Sequence, residues 1–308
     1  MHRNKTDDSQ PVFLEQWNFL NDVVASTGIG KTHIMNSDYK WNDYLMDVTA
    51  AYQNKVSKLD YSVMVGASQE LFRYKWFKTT KQDLLDPGLG VIDGATGAAS
   101  SSGNTVEWVM RSYFSRLKLN WDNKYLFEVN LRADGSSRFM EGNRWGYFPS
   151  FSAAWRISQE KFMKNLTWIS DLKLRGSWGM LGNSNISPYQ YQSTVNFAQM
   201  WYYLNDSKVT GALPTTPANP DVKWETQYST DLGLDLSVLD SRLLFTVDYY
   251  YKKTKDMLIQ VPISFSAGYM GNFPTLNAGS IENKGWELAL TYLSLIHISE
   301  PTRRRGIS

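Results

Sequence analysis

The sequence predicts an all-β fold: an antiparallel transmembrane β-barrel, incomplete, of about nine strands. Three observations predict it. Apolar and polar residues alternate with period two over long stretches, the mark of strands with one apolar face. Each stretch runs roughly 10–13 residues, which suits a tilted crossing of a bilayer better than the ~5–6 residues of ordinary strands. Connections alternate between tight turns and long segments rich in Gly, Ser, Thr, Asn and Pro, as the short inner turns and long outer loops of outer-membrane barrels do.

Taken in order, residues 1–42 read as an external loop with part of a strand. A strand over 43–55 follows, with Met46, Val48, Ala50 and Tyr52 on one face. A tight turn at Val56–Lys58 leads into 58–70, and 71–107 reads as a long connection. Strands over 108–121 and 124–135 flank the turn Asp122-Asn123; the second sets Tyr125, Phe127, Val129 and Leu131 against Lys124, Leu126, Glu128, Asn130 and Arg132. Next come 147–158, with Phe151, Ala153, Trp155 and Ile157, and a connection over Gln159–Ser170 with a short helical turn. The strand 171–182 carries Leu172, Leu174, Gly176 and Trp178, and 183–224 is again a long connection. Strands 225–239 and 242–255 pair Leu232, Leu234, Leu236 and Val238 with Leu243, Phe245, Val247, Tyr249 and Tyr251 across Asp240-Ser241. After a third long connection, 256–280, the strand 281–292 shows Trp286, Leu288, Leu290 and Tyr292.

A soluble β-sandwich alternates too. The faces just named carry no charge, whereas the opposite faces hold Asp, Glu, Lys and Arg freely. A Lys or Arg among lipid tails costs roughly 2–4 kcal/mol at the midplane, so this purity favours hydrocarbon over a second protein layer. The reading fails if that face is buried within the chain. Trp121 and Tyr125 flank a tight turn, and Tyr228, Tyr249 and Tyr251 lie towards loop ends, where rings with a polar tip meet headgroups; ordinary strand aromatics are the competing reading of each.

Composition narrows the function. Lys+Arg 32 against Asp+Glu 30 leaves a net charge of +2, without the clustered basic excess that nucleic acid requires. The absence of cysteine excludes disulfides and thiolate metal sites. Aromatics make up 14% of the chain, pointing to a carbohydrate surface or to membrane belts. No apolar run approaches the ~18 residues of a spanning helix, and barrel strands average to near-neutral hydropathy. The first eight residues, Met1 to Asp8, are no signal peptide, so the chain is expected to begin inside a longer gene.

Chemistry-bearing motifs are few. Ala25–Thr32 fits a relaxed phosphate-loop pattern, but no helical stripe follows it. His2, His33 and His297 have no metal-ligand spacing. Ser177 lies in an alternating strand with no histidine placed as base. No catalytic residue and no cofactor are expected. Trp201, Tyr202 and Tyr203 are candidate substrate-binding residues, as a stacking platform for sugar or peptide; packing of a loop against its neighbour is the competing reading.

Several stretches resemble the SusC/RagA family of TonB-linked outer-membrane transporters. They are Arg132–Phe139, Asn143–Ser150, Ala154–Ser158, Ser170–Gly179, Asn219–Glu225, Asp248–Thr254 and Gly279–Glu287, in family order over roughly 44–292. The resemblance implies a large plugged barrel of about 22 strands, importing oligosaccharides or oligopeptides. It also implies a SusD-like surface lipoprotein as lid and TonB as energy source. The plug domain and TonB-contact segment of that family have no counterpart here. The organisation is therefore 1–43 partial loop and strand, 44–292 partial barrel, and 293–308 a tail. Leu293–Arg303 resembles a translated sequencing-library adapter, so the tail is expected to be non-native; the same codons in an independent clone would overturn that. The alternative function is a structural or adhesive outer-membrane barrel that binds a partner through its external loops. Nine strands alone leave two open edges and a bare apolar face, so the isolated chain is expected to aggregate in water.

Overall fold

The computed structural model describes residues 2–9, 13–18, 23–29, 33–86, 90–196, 201–264, 266 and 273–293. The strands are β1 (His2–Ser9), β2 (Phe13–Asn18), β3 (Val23–Ile29), β4 (His33–Val56), β5 (Leu59–Gln82) and β6 (Ala99–Trp121). They continue with β7 (Tyr125–Ser136), β8 (Trp145–Arg156), β9 (Ile169–Asn183), β10 (Thr194–Asn196), β11 (Trp201–Leu204) and β12 (Ser207–Thr210). The rest are β13 (Leu213–Thr216), β14 (Glu225–Val238), β15 (Leu243–Lys255), β16 (Leu258–Gln260), β17 (Thr275–Asn277) and β18 (Ser280–Tyr292). Ten of them form one sheet in the order β1-β4-β5-β6-β7-β8-β9-β14-β15-β18. Apart from β1, these are the nine strands read from the sequence. Among the described residues there is no α-helix, and β18 pairs with β15 alone.

The chain forms two compact units. One comprises Met1–Asp47, Ser68–Arg111 and Ser136–Arg138; the other comprises Val48–Ala67, Ser112–Gly135 and Phe139–Ser308.

In the larger unit the register aligns the apolar faces. One row runs Phe127, Ala153, Gly176, Leu232, Tyr249 and Trp286 across six strands. The next runs Tyr125, Trp155, Leu174, Leu234, Val247 and Leu288. Nothing in the described chain covers this face: Leu288 is 70% and Leu232 56% exposed. Leaving such area in water forfeits roughly 25 cal/mol per Å², so hydrocarbon is the solvent it fits. The condition set by the sequence is met.

Tight turns fall where the sequence placed them, and left-handed backbone makes them. Ser57 has φ 55°, Asp122 and Asn123 have 53° and 55°, and Asp240 and Ser241 have 54° and 63°. Asp, Asn and Ser tolerate that region through local hydrogen bonds. Gln159–Ser170 holds two 3-10 turns, Ile157–Gln159 and Lys161–Met163, around its start.

The boundaries need correction in three places. β4 and β5 each run 24 residues and β6 runs 23, so most of 33–42 and 71–107 is strand, not loop. Apolar alternation on the outward face ends near Lys40, Arg73 and Arg111, while backbone pairing continues. The sequence had registered the end of the lipid-facing stripe, not the end of the strand. Residues 25–29 of the phosphate-loop decoy lie in strand β3, paired with β2; 30–32 lie outside the described residues, as do 294–308 of the expected tail.

Candidate functional site

Inward-facing residues of the larger unit form a charged wall. On β7 and its neighbours, Glu128 lies 3.3 Å from Lys118 Nζ and 3.5 Å from Arg116 Nε. Arg116 Nε also donates to Asn130 Oδ1 at 2.7 Å, and Asn130 donates on to Ser150. Arg132 Nε donates to both carboxylate oxygens of Asp134 at 2.8 Å, with Nη2 reaching Ser112 at 3.2 Å.

A second group spans three strands. Arg175 of β9, Gly233 of β14 and Asp248 of β15 lie side by side in register. Arg175 reaches over the glycine: Nη2 donates to Asp248 at 2.7 Å and Nε to Asp235 at 3.2 Å. A Cβ on Gly233 would stand 2.3 Å from Asp248 Oδ1 and 2.6 Å from Arg175 Cζ. Glycine is required there by the close approach. Lys173 adds a contact to Asp235 at 3.6 Å. These groups surround a concavity of about 700 Å³ lined by Gln53, Asp60, Arg116, Lys118, Lys173 and Arg175 among others. Half-exposed, mutually paired charges of both signs make a polar wall with little net field.

At the loop end of the same unit sits its apolar core. Phe139 and Val222 are fully buried, with Phe148, Ile186 and Trp224 nearly so. The Trp224 ring lies 5.3 Å from both Phe139 and Phe148, and its indole N–H donates to Arg144 O at 2.9 Å. A Cβ on Gly182 would stand 2.0 Å from the Phe148 ring, so that strand must be bare where the ring lies. Side-chain amides bind the adjoining loops: Asn219 donates to Thr275 O at 2.6 Å, and Asn277 donates to Lys223 O at 2.9 Å and Asp256 O at 2.8 Å. The family-like stretches ending at Phe139, holding Phe148 and holding Trp224 thus meet in one rim cluster.

The tight-turn end has its own anchor. Glu160 accepts from Tyr125 Oη at 2.7 Å, Trp155 Nε1 at 3.2 Å and Lys124 Nζ at 3.1 Å. The hydroxyl of Tyr125 first, then Lys124, holds the Glu160 carboxyl below its ordinary value; the same contact raises Lys124. Tyr125 and Trp155 stack at 6.3 Å, as a belt at the inner interface.

The smaller unit holds an aromatic platform that the sequence reading missed. On one face of β4, β5 and β6, Tyr39 and Trp41 stack at 6.0 Å, and Trp41 and Tyr74 at 5.1 Å. Phe72 and Trp108 stack at 5.5 Å, with Arg138 Cζ 4.6 Å from the Trp108 ring. Trp41 keeps 38% of its surface exposed. A usable signal was present: Phe72, Tyr74 and Trp76 recur at period two against Arg73 and Lys75. The Gly-, Ser- and Thr-rich run that follows makes 71–107 read as loop and masks this signal.

Trp201, Tyr202 and Tyr203 lie on β11, hairpinned to β12 through Asn205 and Asp206 at φ 48° and 58°. Tyr203 is 75% exposed; the side chains of Trp201 and Tyr202 lie outside the described set.

Comparison with known proteins is consistent throughout. A family model described as "TonB dependent receptor-like, beta-barrel" matches residues 5–298. TonB-dependent receptor SusC of Bacteroides thetaiotaomicron is 33% identical over 290 residues, 92% of this chain and 27% of that protein. TonB-dependent receptor P26 of Formosa agariphila is 33% identical over 260 residues, 81% of this chain and 25% of that protein. The RagAB peptide transporter structure aligns with TM-score 0.78 at 26% identity, over 94% of this chain and 30% of that one. The chain spans about a quarter of the length of the curated relatives it matches.

Proposed function

The chain belongs to the TonB-dependent receptor β-barrel family, whose members are outer-membrane proteins and not enzymes, and from that premise we propose that it forms part of an importer of oligosaccharides. The uptake is driven through TonB, and a SusD-like surface lipoprotein serves as lid. The observation that carries the substrate class is the ladder of half-buried rings at Trp41, Tyr74, Phe72 and Trp108. Aromatic faces offer apolar area with little loss of side-chain freedom, which suits the flat faces of sugar rings. The paired charges of the barrel wall then pass a neutral, hydrogen-bonding solute without trapping it. Tyr203 and its neighbours on β11 are further candidate contacts.

A second reading, oligopeptide import, is favoured by one observation: the likeness to the RagAB peptide transporter. Uptake assays on cells carrying the full receptor separate the two. Trp41→Ala with Trp108→Ala is expected to lower uptake of labelled oligosaccharides at least tenfold at unchanged surface level, leaving peptides unaffected. Loss of peptide uptake alone would reverse the assignment. Binding without uptake by the unaltered receptor would support a structural or adhesive barrel instead.

A further inference from the structure

We infer that the loop ends of β14, β15 and β18 form a binding site for a phosphate-bearing lipid headgroup. The residues concerned lie in the larger unit, on the face that carries the aliphatic rows. Moving along β15 towards its loop end, that face presents Val247, Tyr249, Tyr251, Lys253 and Lys255. Register places Leu234 and Leu288 beside Val247, and Leu232 and Trp286 beside Tyr249. Thr230 and Lys284 lie beside Tyr251, and Tyr228 and Glu282 beside Lys253. The order is therefore aliphatic, aromatic, cationic along five successive outward positions of β15.

Each layer has a reason. Tyr249 and Trp286 lie 4.9 Å apart and mark the interfacial level, where rings with polar tips settle. Ammonium groups cannot enter the hydrocarbon without a large cost, and their stems reach upward instead. Lys255 Nζ stands 5.2 Å from the Tyr228 ring. Lys253 pairs with Glu282 at 2.5 Å, while Lys255 and Lys284 are exposed. Three lysines against one glutamate leave an excess of positive charge at headgroup height.

The patch is local. On the same face the loop ends of β7, β8 and β9 present Ala133, Tyr147 and Met180, with no charge. A general boundary effect would charge all six strands alike. Among these six strands the outward lysines of the loop end lie on β15 and β18 alone, directly above exposed aliphatic rows, and an anionic headgroup with its acyl chains matches both layers at once.

The test uses the full receptor that contains these strands, in mixed micelles of phosphatidylcholine and phosphatidic acid, with retained lipid counted by native mass spectrometry. The unaltered receptor is expected to retain phosphatidic acid preferentially. Lys255→Gln with Lys284→Gln leaves the Lys253–Glu282 pair intact and is expected to weaken retention about fivefold per lysine at low salt. Lys255→Arg with Lys284→Arg should keep it, as should Lys161→Gln with Lys164→Gln at the opposite end. Lys284→Gln alone serves if the double variant does not insert. Equal retention in the unaltered and Gln forms would overturn the proposal. So would displacement by inorganic phosphate at matched phosphate concentration, which would mark a free-anion site. Substrate uptake by the same variants should stay normal, which keeps this site separate from the transport reading.

Discussion

Two tryptophans describe the molecule's two environments. Trp224 is 6% exposed, wedged between Phe139 and Phe148; Trp286 is 70% exposed on a sheet face that nothing in the described chain covers. Both lie in the larger unit, yet one is part of a conventional protein core and the other is not. The apolar core of this unit is confined to the rim, while most of its large hydrophobics point outward. Stability at the rim comes from protein packing, and along the strands from the lipid around them.

Substitutions that treat the two environments differently sharpen this contrast. The largest effect is expected at the rim: Trp224→Ala should cost about 3–5 kcal/mol, the range for large aromatic truncations in a core. It is read as a lowered midpoint in reversible denaturant unfolding of the receptor in detergent. Trp286→Ala should cost much less by the same measure. Equal losses would mean that the outward face is packed against protein after all. The next effect is charge. Leu232→Arg, on the outward face, should cost roughly 2–4 kcal/mol in lipid vesicles, whereas Thr246→Arg, on the inward face, should be nearly silent. A silent Leu232→Arg would break the assignment of faces.

The smallest effect concerns the tight-turn anchor. Glu160 has a folded-state value below the ordinary carboxylate value, which is about 4.3. Its contribution to stability is therefore present above that value and lost as pH falls through the depressed one. A pH series of unfolding midpoints should show this acid-side loss in the unaltered receptor and its absence in Glu160→Gln. An identical acid limb in both would remove Glu160 from the account.

How much could be read from the residues alone follows the same contrast. Alternation over 225–239 and 242–255 was legible because one face meets oil and the other water, and the register Leu234 with Val247 bears it out. Beyond Lys40, Arg73 and Arg111 both faces are polar or mixed, so the apolar signal stops although the strands run on. Only the rings at Phe72, Tyr74 and Trp76 kept the beat. The rim cluster had no local signature: Phe139 and Trp224 are far apart in the chain, and their meeting depends on the fold of the intervening strands. The motifs that resembled a known family carried that information without explaining it. Within the proposed site, the sequence offers Tyr203 as a candidate contact, whereas the Trp41–Tyr74 stack lies in segments that read as loop.

The length of β4 and β5 has a consequence of its own. Each runs 24 residues, about twice the ~9–11 that a tilted crossing of the bilayer takes. The part standing in water is hydrogen-bonded ribbon, already stiff before any visitor arrives. Flexible chain surrenders roughly 1–2 kcal/mol of backbone freedom for each residue it immobilises; a prebuilt parapet surrenders almost none. For the proposed sugar ligand, Trp41 and Tyr74 would offer a surface whose shape was decided during folding, so selectivity there would be a matter of fit, with little left to adaptation.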